Sequence, residues 1–337
     1  MRRFFALSAL LVPIFFLSAK ASADALARSQ AMFADTIAEF FVDEEGVRVD
    51  LEIGLYDVGA FRNLLPEQIH AELGYGKQAY RERVTEFFQR DMPILADGRP
   101  LPGMLGGIGP RERVLRDQIT GEEMPSVAEE AETVIVAQLF YPFKDKLPAT
   151  LSFGAPNRFG KANVGFVVYH NTVAVNDFRY LVPGLQLKLD WEDPWYSAFT
   201  TRNMRRSYFA PMSGFLYVDH FEVRKEIIVR PKDMQRWVDI GLEEAEVIRA
   251  DQRGAVLERI ANFLMEKQPV TVNGESVTPI LDRANFLSRT LKSSMVVEPG
   301  VDIDINSAVV GVIFVYPTPR LAEKATMTWD MFDERVQ

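Results

Sequence analysis

The chain has three histidines, His70, His170 and His220. Histidine is the side chain most ready to act as a general base or metal ligand near neutral pH. No two of them stand at the H-x-x-x-H spacing that sets two imidazoles on one helix face, so no local metal motif is encoded. His70 falls on the polar face of a helical stretch and is expected in solvent. His170 lies beside a hairpin turn, and Asp219-His220 opens a strand and offers a local pair. A site assembled over distance from His170, His220 and a carboxylate is the histidine-based option that remains.

Acids gather at two places, Glu129, Glu130 and Glu132, then Asp302, Asp304 and Asn306. Hard oxygen ligands of this kind suit Ca²⁺, so Asp302 and Asp304 join His170 and His220 as candidate metal ligands. The alternation of Asp302-Ile303-Asp304-Ile305-Asn306 fits equally the wet face of an edge strand, where charge blocks aggregation. The chain has no cysteine, which excludes disulfides, thiol nucleophiles, zinc–thiolate sites and iron–sulfur clusters. Neither G-x-S-x-G nor S-x-x-K occurs, so no hydrolase signature is present. Gly74-Tyr75-Gly76-Lys77-Gln78-Ala79 spells G-x-G-x-x-A. A dinucleotide fingerprint needs a preceding strand in a βαβ unit, but residues 64–73 look helical, so this is a helix–turn–helix joint. Gly103, Gly106, Gly107 and Gly109 lack the Lys-Ser/Thr of a phosphate loop and read as a mobile connection. No catalytic residue and no cofactor are assigned.

The densest functional chemistry is Asp190-Trp191-Glu192-Asp193-Pro194-Trp195-Tyr196, with Phe199 and Tyr208 nearby and Arg202, Arg205 and Arg206 following. Aromatics beside arginine are what binding hot spots use. Trp191, Asp193, Trp195, Tyr196, Arg202, Arg205 and Arg206 are therefore candidate partner-binding residues. The same density also fits a core corner with a few solvated charges.

An internal duplication would position these groups. The stretch from Ala79 through Arg83 to Phe88 matches that from Ala255 through Arg259 to Leu264 at an offset of 176 residues. The offset holds for Pro93 and Pro269, Asp97-Gly98 and Asn273-Gly274, and Leu101 and Val277. Tyr141-Pro142 and Tyr316-Pro317 match at 175, and Thr150 and Thr326 again at 176. Each copy reads as an alternating strand, an amphipathic helix, a short strand before a type I′ turn, and a long apolar strand ending in Tyr-Pro. In copy one the strand is Val47, Val49, Leu51, Ile53 and Leu55, and the helix carries Tyr80, Val84, Phe87 and Phe88. In copy two they are Phe221, Val223 and residues 227–229, then Val256, Ile260, Phe263 and Leu264. Between the copies, residues 164–169 and 173–175 form a hairpin, and residues 185–189 alternate. The fold class expected is α+β: two duplicated sheet-plus-one-helix, sandwich-like units joined by a β-rich middle segment.

Composition and the N-terminus indicate where such a chain works. Its 337 residues carry 38 Lys+Arg against 47 Asp+Glu, a net charge of −9. That balance opposes general nucleic-acid binding. Met1-Arg2-Arg3, an apolar run to Leu17 and Ala21-Ser22-Ala23 are the three parts of a cleavable secretory signal, with cleavage after Ala23. The run is too short to span a bilayer, and no later run reaches the length of a transmembrane helix. The expected place is the periplasm. The expected divisions are 1–23 signal, 24–154 first unit, 155–219 middle segment and 220–337 second unit.

The strand–helix–hairpin order, with Phe166-Val167-Val168-Tyr169-His170 and Val175-Asn176-Asp177-Phe178-Arg179-Tyr180-Leu181, resembles the extracytoplasmic region of hydrogenase/urease-accessory, metal-permease-like membrane proteins. The resemblance spans residues 45–185 and brings no metal ligands with it. It implies a soluble, exported partner or relative of such a membrane system. The function expected is an exported, non-enzymatic accessory protein that binds a membrane or periplasmic protein partner. The alternative is a divalent-metal or small-ligand binder, or an enzyme, with its site between the two units.

Overall fold

A computed structural model describes residues 31–117, 123–124, 132–144, 146–207, 210–243, 245–289 and 294–334. The proposed signal, Glu129, Glu130 and Tyr208 lie outside the described residues. Strand outweighs helix, 39% to 18%, and the fold is α+β.

The first half opens with a hairpin of β1 (Thr36–Val42) and β2 (Gly46–Ile53), each alternating buried with less buried residues. Asp43 turns the chain between them. Its N–H donates to the Gly46 carbonyl, and its carboxylate accepts from the Glu45 and Gly46 N–H groups. This is how a short acid stabilises a tight turn. β2 stops at Ile53, so Leu55, expected to extend the alternation, lies exposed in a 3₁₀ turn.

Helices α1 (Glu67–Glu72) and α2 (Tyr80–Glu86) follow, and α2 runs into a π turn at Phe87–Asp91. Gly74 and Gly76, at φ 74° and 88°, bend the chain between the helices. That bend bears out the joint and corrects the placement of His70. The chain folds Tyr75 back to within 5.5 Å of the His70 ring, which is only 4% exposed. A helical wheel ends before the turn that covers it.

β3 (Ile94–Ala96) and β4 (Arg99–Pro100) flank Asp97-Gly98, whose φ of 47° and 77° are both positive, as a type I′ turn requires. The glycine-rich segment expected as a connection is instead a strand, β5 (Met104–Glu112), paired with β6 (Thr133–Pro142). The ladder to a long apolar partner overrides the low strand preference of glycine. β7 (Thr150–Phe153) completes this part.

The middle segment adds strands to both sheets of the first half. β8 (Val164–His170), β9 (Val173–Ala174) and β10 (Arg179–Tyr180) join the larger, in the order β9-β8-β1-β2-β6-β5, with β10 also on β8. β11 (Leu185–Lys188) and β12 (Ala198–Phe199) join the smaller, in the order β12-β11-β7-β3-β4. The pairs in these two sheets are antiparallel except β1 with β8, which is parallel. The two sheets share one core. Phe40 meets Phe153 edge-on at 5.0 Å, and Phe166 meets Phe199 at 5.9 Å.

The second half has its own core. β13 (Met212–Val218), expected as the end of the middle segment, pairs with β14 (Glu222–Val229) at the edge of a five-stranded sheet that continues through β19 (Val309–Pro317), β17 (Ile280–Arg289) and β18 (Ser294–Val296). After the short helix α3 (Pro231–Met234), α4 (Arg253–Lys267) buries Val256, Ile260, Ala261 and Leu264 against that sheet. β15 (Val270–Val272) and β16 (Glu275–Ser276) flank Asn273-Gly274, at φ 53° and 86°. β17 (Ile280–Arg289), β18 (Ser294–Val296), β19 (Val309–Pro317) and β20 (Ala325–Met327) complete the chain, with β20 on β15. No helix among the described residues is long and apolar enough to cross a membrane.

Candidate functional site

Charge and aromatic surface concentrate where the two halves meet. Pro194 opens a 3₁₀ turn, Pro194–Tyr196, that Asp193 caps through the Trp195 N–H at 3.2 Å. The turn presents Asp193, Trp195 and Tyr196 towards the second half. From that side, β14 ends at Val229 and Pro231 starts α3, which leaves Arg230 between a strand and a helix.

Arg230 is buried and binds Asp193 with both terminal nitrogens, at 2.9 and 3.2 Å. It also binds Asp233 at 2.7 Å and the Asn306 carbonyl at 3.3 Å. Its guanidinium lies 4.5 Å from the centre of the Trp195 ring, and Arg206 lies 3.9 Å from the same ring. The Tyr196 hydroxyl donates to Asp233 at 2.9 Å, and burial together with that carboxylate pushes the phenol pKa up. Arg236 joins Asp233 to Asp333, at 3.1 and 2.6 Å, and Lys232 lies 3.9 Å from Asp193. Arg230, Arg236 and Lys232 thus balance Asp193, Asp233 and Asp333, and the buried members of the set, Arg230, Asp193 and Asp233, are paired as burial of charge demands. Val173, Trp195 and Val309 form the apolar floor.

An open cleft of about 630 Å³ borders this network, lined by Glu192, Asp193, Lys232, Gln235, Arg236, Asp333 and Glu334. A second groove, of about 440 Å³, lies on the first half's larger sheet, where Arg111 binds Glu52 at 2.8 Å and Arg113 binds Glu132 at 3.1 Å.

The partner-binding candidates divide. Asp193 and Trp195 are inside the molecule, and Tyr196 is half-buried. Trp191 is half-buried and donates its indole N–H to the Pro148 carbonyl at 2.7 Å. Arg205 reaches the Phe199 carbonyl at 2.9 Å and Arg206 the Trp195 carbonyl at 2.7 Å. Arg202 is exposed on a short 3₁₀ turn.

The metal candidates are not assembled into a common site: no group of three histidines or acids suited to a metal occurs among the described residues. Asp302 accepts the Ala250 N–H at 2.8 Å, and Asp304 caps the turn at Asn306 and Ser307. His220 sits at the exposed β13–β14 turn beside Asp219, at 3.3 Å. His170 is buried and its Nδ1 lies 2.7 Å from the Ser197 hydroxyl. That hydroxyl also accepts the Asp190 N–H at 2.8 Å, so one serine ties the ring to the loop backbone. Burial lowers the His170 pKa to about 4, so the ring is neutral at pH 7. Both side chains are sealed from solvent, so this serine–histidine pair orders the loop rather than offering a nucleophile.

Arg230, Asp233, Ser197 and Lys225 were not singled out from the sequence. Only Lys225 left a signal, because it interrupts Val223, Ile227 and Val229 on the inward parity of β14. No known family profile matches the chain, and no curated protein matches it.

Proposed function

We propose that this is an exported accessory protein that acts by binding a membrane or periplasmic protein, its two units arising from one duplicated module. The observation that carries the binding role is an apolar patch at β13 and the turn after it. Phe215, Tyr217 and Val218 are about half exposed and Phe221 is 76% exposed. Clustered exposed apolar groups of this kind mark interaction sites in soluble proteins. The resemblance to extracytoplasmic regions of metal-permease-like proteins supports a membrane complex as the partner class.

Duplication is supported by matched pairing. β1-β2-β6-β5 and β13-β14-β19-β17 have the same order and the same directions. Val47 faces Tyr141 as Val223 faces Tyr316. Asp97 binds the N–H groups of Ala149 and Thr150, as Asn273 binds those of Glu323 and Lys324. The pairing equates Leu151 with Ala325, both opposite the residue before the turn, so the last strands align at 174 rather than the 176 expected from Thr150 and Thr326.

Site-specific photo-crosslinking tests the binding role. A crosslinker at Tyr217 should capture a membrane protein in cells, while one at Tyr56, 88% exposed on the first half, should not. If neither position gives a specific product, the reading falls. The charged cleft beside Lys232 and Arg236 favours a second reading, a small ligand held between the halves. That reading predicts a raised melting temperature with charged metabolites or divalent ions, and indifference to them removes it.

A further inference from the structure

We propose that the free edge of β13 accepts an extended strand from a partner protein, added in parallel, as β8 is added to β1 within the first half. This rests on the interaction reading above and names how the partner is held.

The edge is unusual for its chemistry. Natural proteins blunt exposed strand edges with charge, proline, bulges or short length. β5 carries a bulge between Leu105 and Gly107, then Pro110, Arg111 and Glu112. β4, β9, β12 and β16 are two residues long and β18 is three. β13 has seven residues, Met-Ser-Gly-Phe-Leu-Tyr-Val, with no charge, proline or bulge. Among the described residues it pairs on one side only, with β14.

The free backbone groups can be assigned. The Asp219 N–H donates to the Glu222 carbonyl, and the Arg230 N–H to the Pro211 carbonyl. Odd-numbered residues of β13 therefore bond to β14, and the N–H and C=O groups of Gly214, Leu216 and Val218 point away from it. In β1 the Asp43–Gly46 bond sets the same parity, and there the even residues face β8. The Val42 carbonyl accepts the Asn171 N–H at 2.8 Å. Ala38, Phe40 and Val42 lie beside Phe166, Val168 and His170, and Phe41 stacks on Tyr169 at 5.2 Å. The 176-residue offset carries Phe41 onto Tyr217 and Val42 onto Val218.

The occupant is thus an extended segment with an apolar residue at every second position, facing the second core, and an aromatic beside Tyr217. Asp219, 76% exposed just past β13, favours a lysine or arginine after the donor strand. A second copy fits less well. A two-fold axis would pair β13 with itself antiparallel, and a net charge of −9 opposes self-association.

The test is residue-resolved hydrogen exchange of the purified protein with a synthetic peptide of residues 162–170 followed by arginine, a surrogate for the donor strand. The Gly214, Leu216 and Val218 amides should exchange fast in the free protein and slow by roughly tenfold or more with peptide. The Ser213, Phe215 and Tyr217 amides should not change. Val218→Pro, which removes one free N–H where an edge tolerates proline, should abolish the effect. No binding, binding without protection of the even amides, or protection that grows with protein concentration in the absence of peptide each overturns the proposal. The crosslinking arm separates the two readings. If Tyr217 still captures its partner in Val218→Pro, strand addition fails and the accessory role stands. If Tyr217 captures nothing in the unmodified protein, that role fails whatever the peptide does.

Discussion

Lys225 is a charge in the wrong place for stability. Its side chain is fully buried, with the ammonium 4.6 Å from the Phe314 ring and bonded to the carbonyls of Gln268, just past α4, and of Leu264, in its last turn, at 2.7 and 3.3 Å. Burial lowers its pKa to about 8. The unfolded chain holds this proton to higher pH than the folded one. The cost of burying the charge is therefore full below pH 8 and fades as pH rises towards 10.5. Lys225→Met should raise unfolding free energy at pH 7 by up to about 3 kcal/mol, and the gain should shrink above pH 8; denaturant titration at pH 7 and pH 10 checks it. His170 works at the other end of the scale. With a folded pKa of about 4 against an ordinary 6.5, it contributes stability that is whole above pH 6.5 and drains as pH falls towards 4. His170→Gln should flatten the stability profile between those limits, where the native histidine loses about 3 kcal/mol.

Elements show where local rules sufficed. The alternation of β2, the apolar stripe of α4 and both type I′ turns were legible because each is set by neighbours in sequence. β1 is not legible in the sequence, although Asp43–Gly46 is a turn signal, because its parallel partner β8 lies over 120 residues away. β5 reads as a connection in the sequence because its glycines are ordered by β6, not by themselves. Two glycines outside β5, one in the β3–β4 turn and one just before β5, separate backbone from packing. Gly98 sits at φ 77° with open space around it, so Gly98→Ala should cost about 1 kcal/mol from backbone strain alone. A methyl group on Gly103 would lie 1.8 Å from the Phe88 ring, so Gly103→Ala should cost about 3 kcal/mol from overpacking. Thermal unfolding of the two variants should keep that order, and the reverse order would show that the β5 edge yields.

At the scale of the molecule, two cores meet through one neutral cluster, and almost none of that was readable beforehand. The aromatic-acidic segment reads as a surface, but its Asp193 is matched by Arg230 from 37 residues further on, a pairing no local pattern encodes. Buried ion pairs contribute little net stability, yet removing one partner is costly because the other charge stays buried. Asp193→Ala should therefore cost about 3–5 kcal/mol, while Asp193→Leu combined with Arg230→Met should recover most of it. The positive coupling appears in a double-mutant cycle on unfolding free energy. Arg230 also sits within hydrogen-bond reach of Asp233 and over Trp195, so the double variant leaves Asp233 to Arg236 and Tyr196 alone, and recovery should stop short of complete. Independent, additive losses at the two positions would mean that the halves are held by the apolar floor of Val173, Trp195 and Val309 instead.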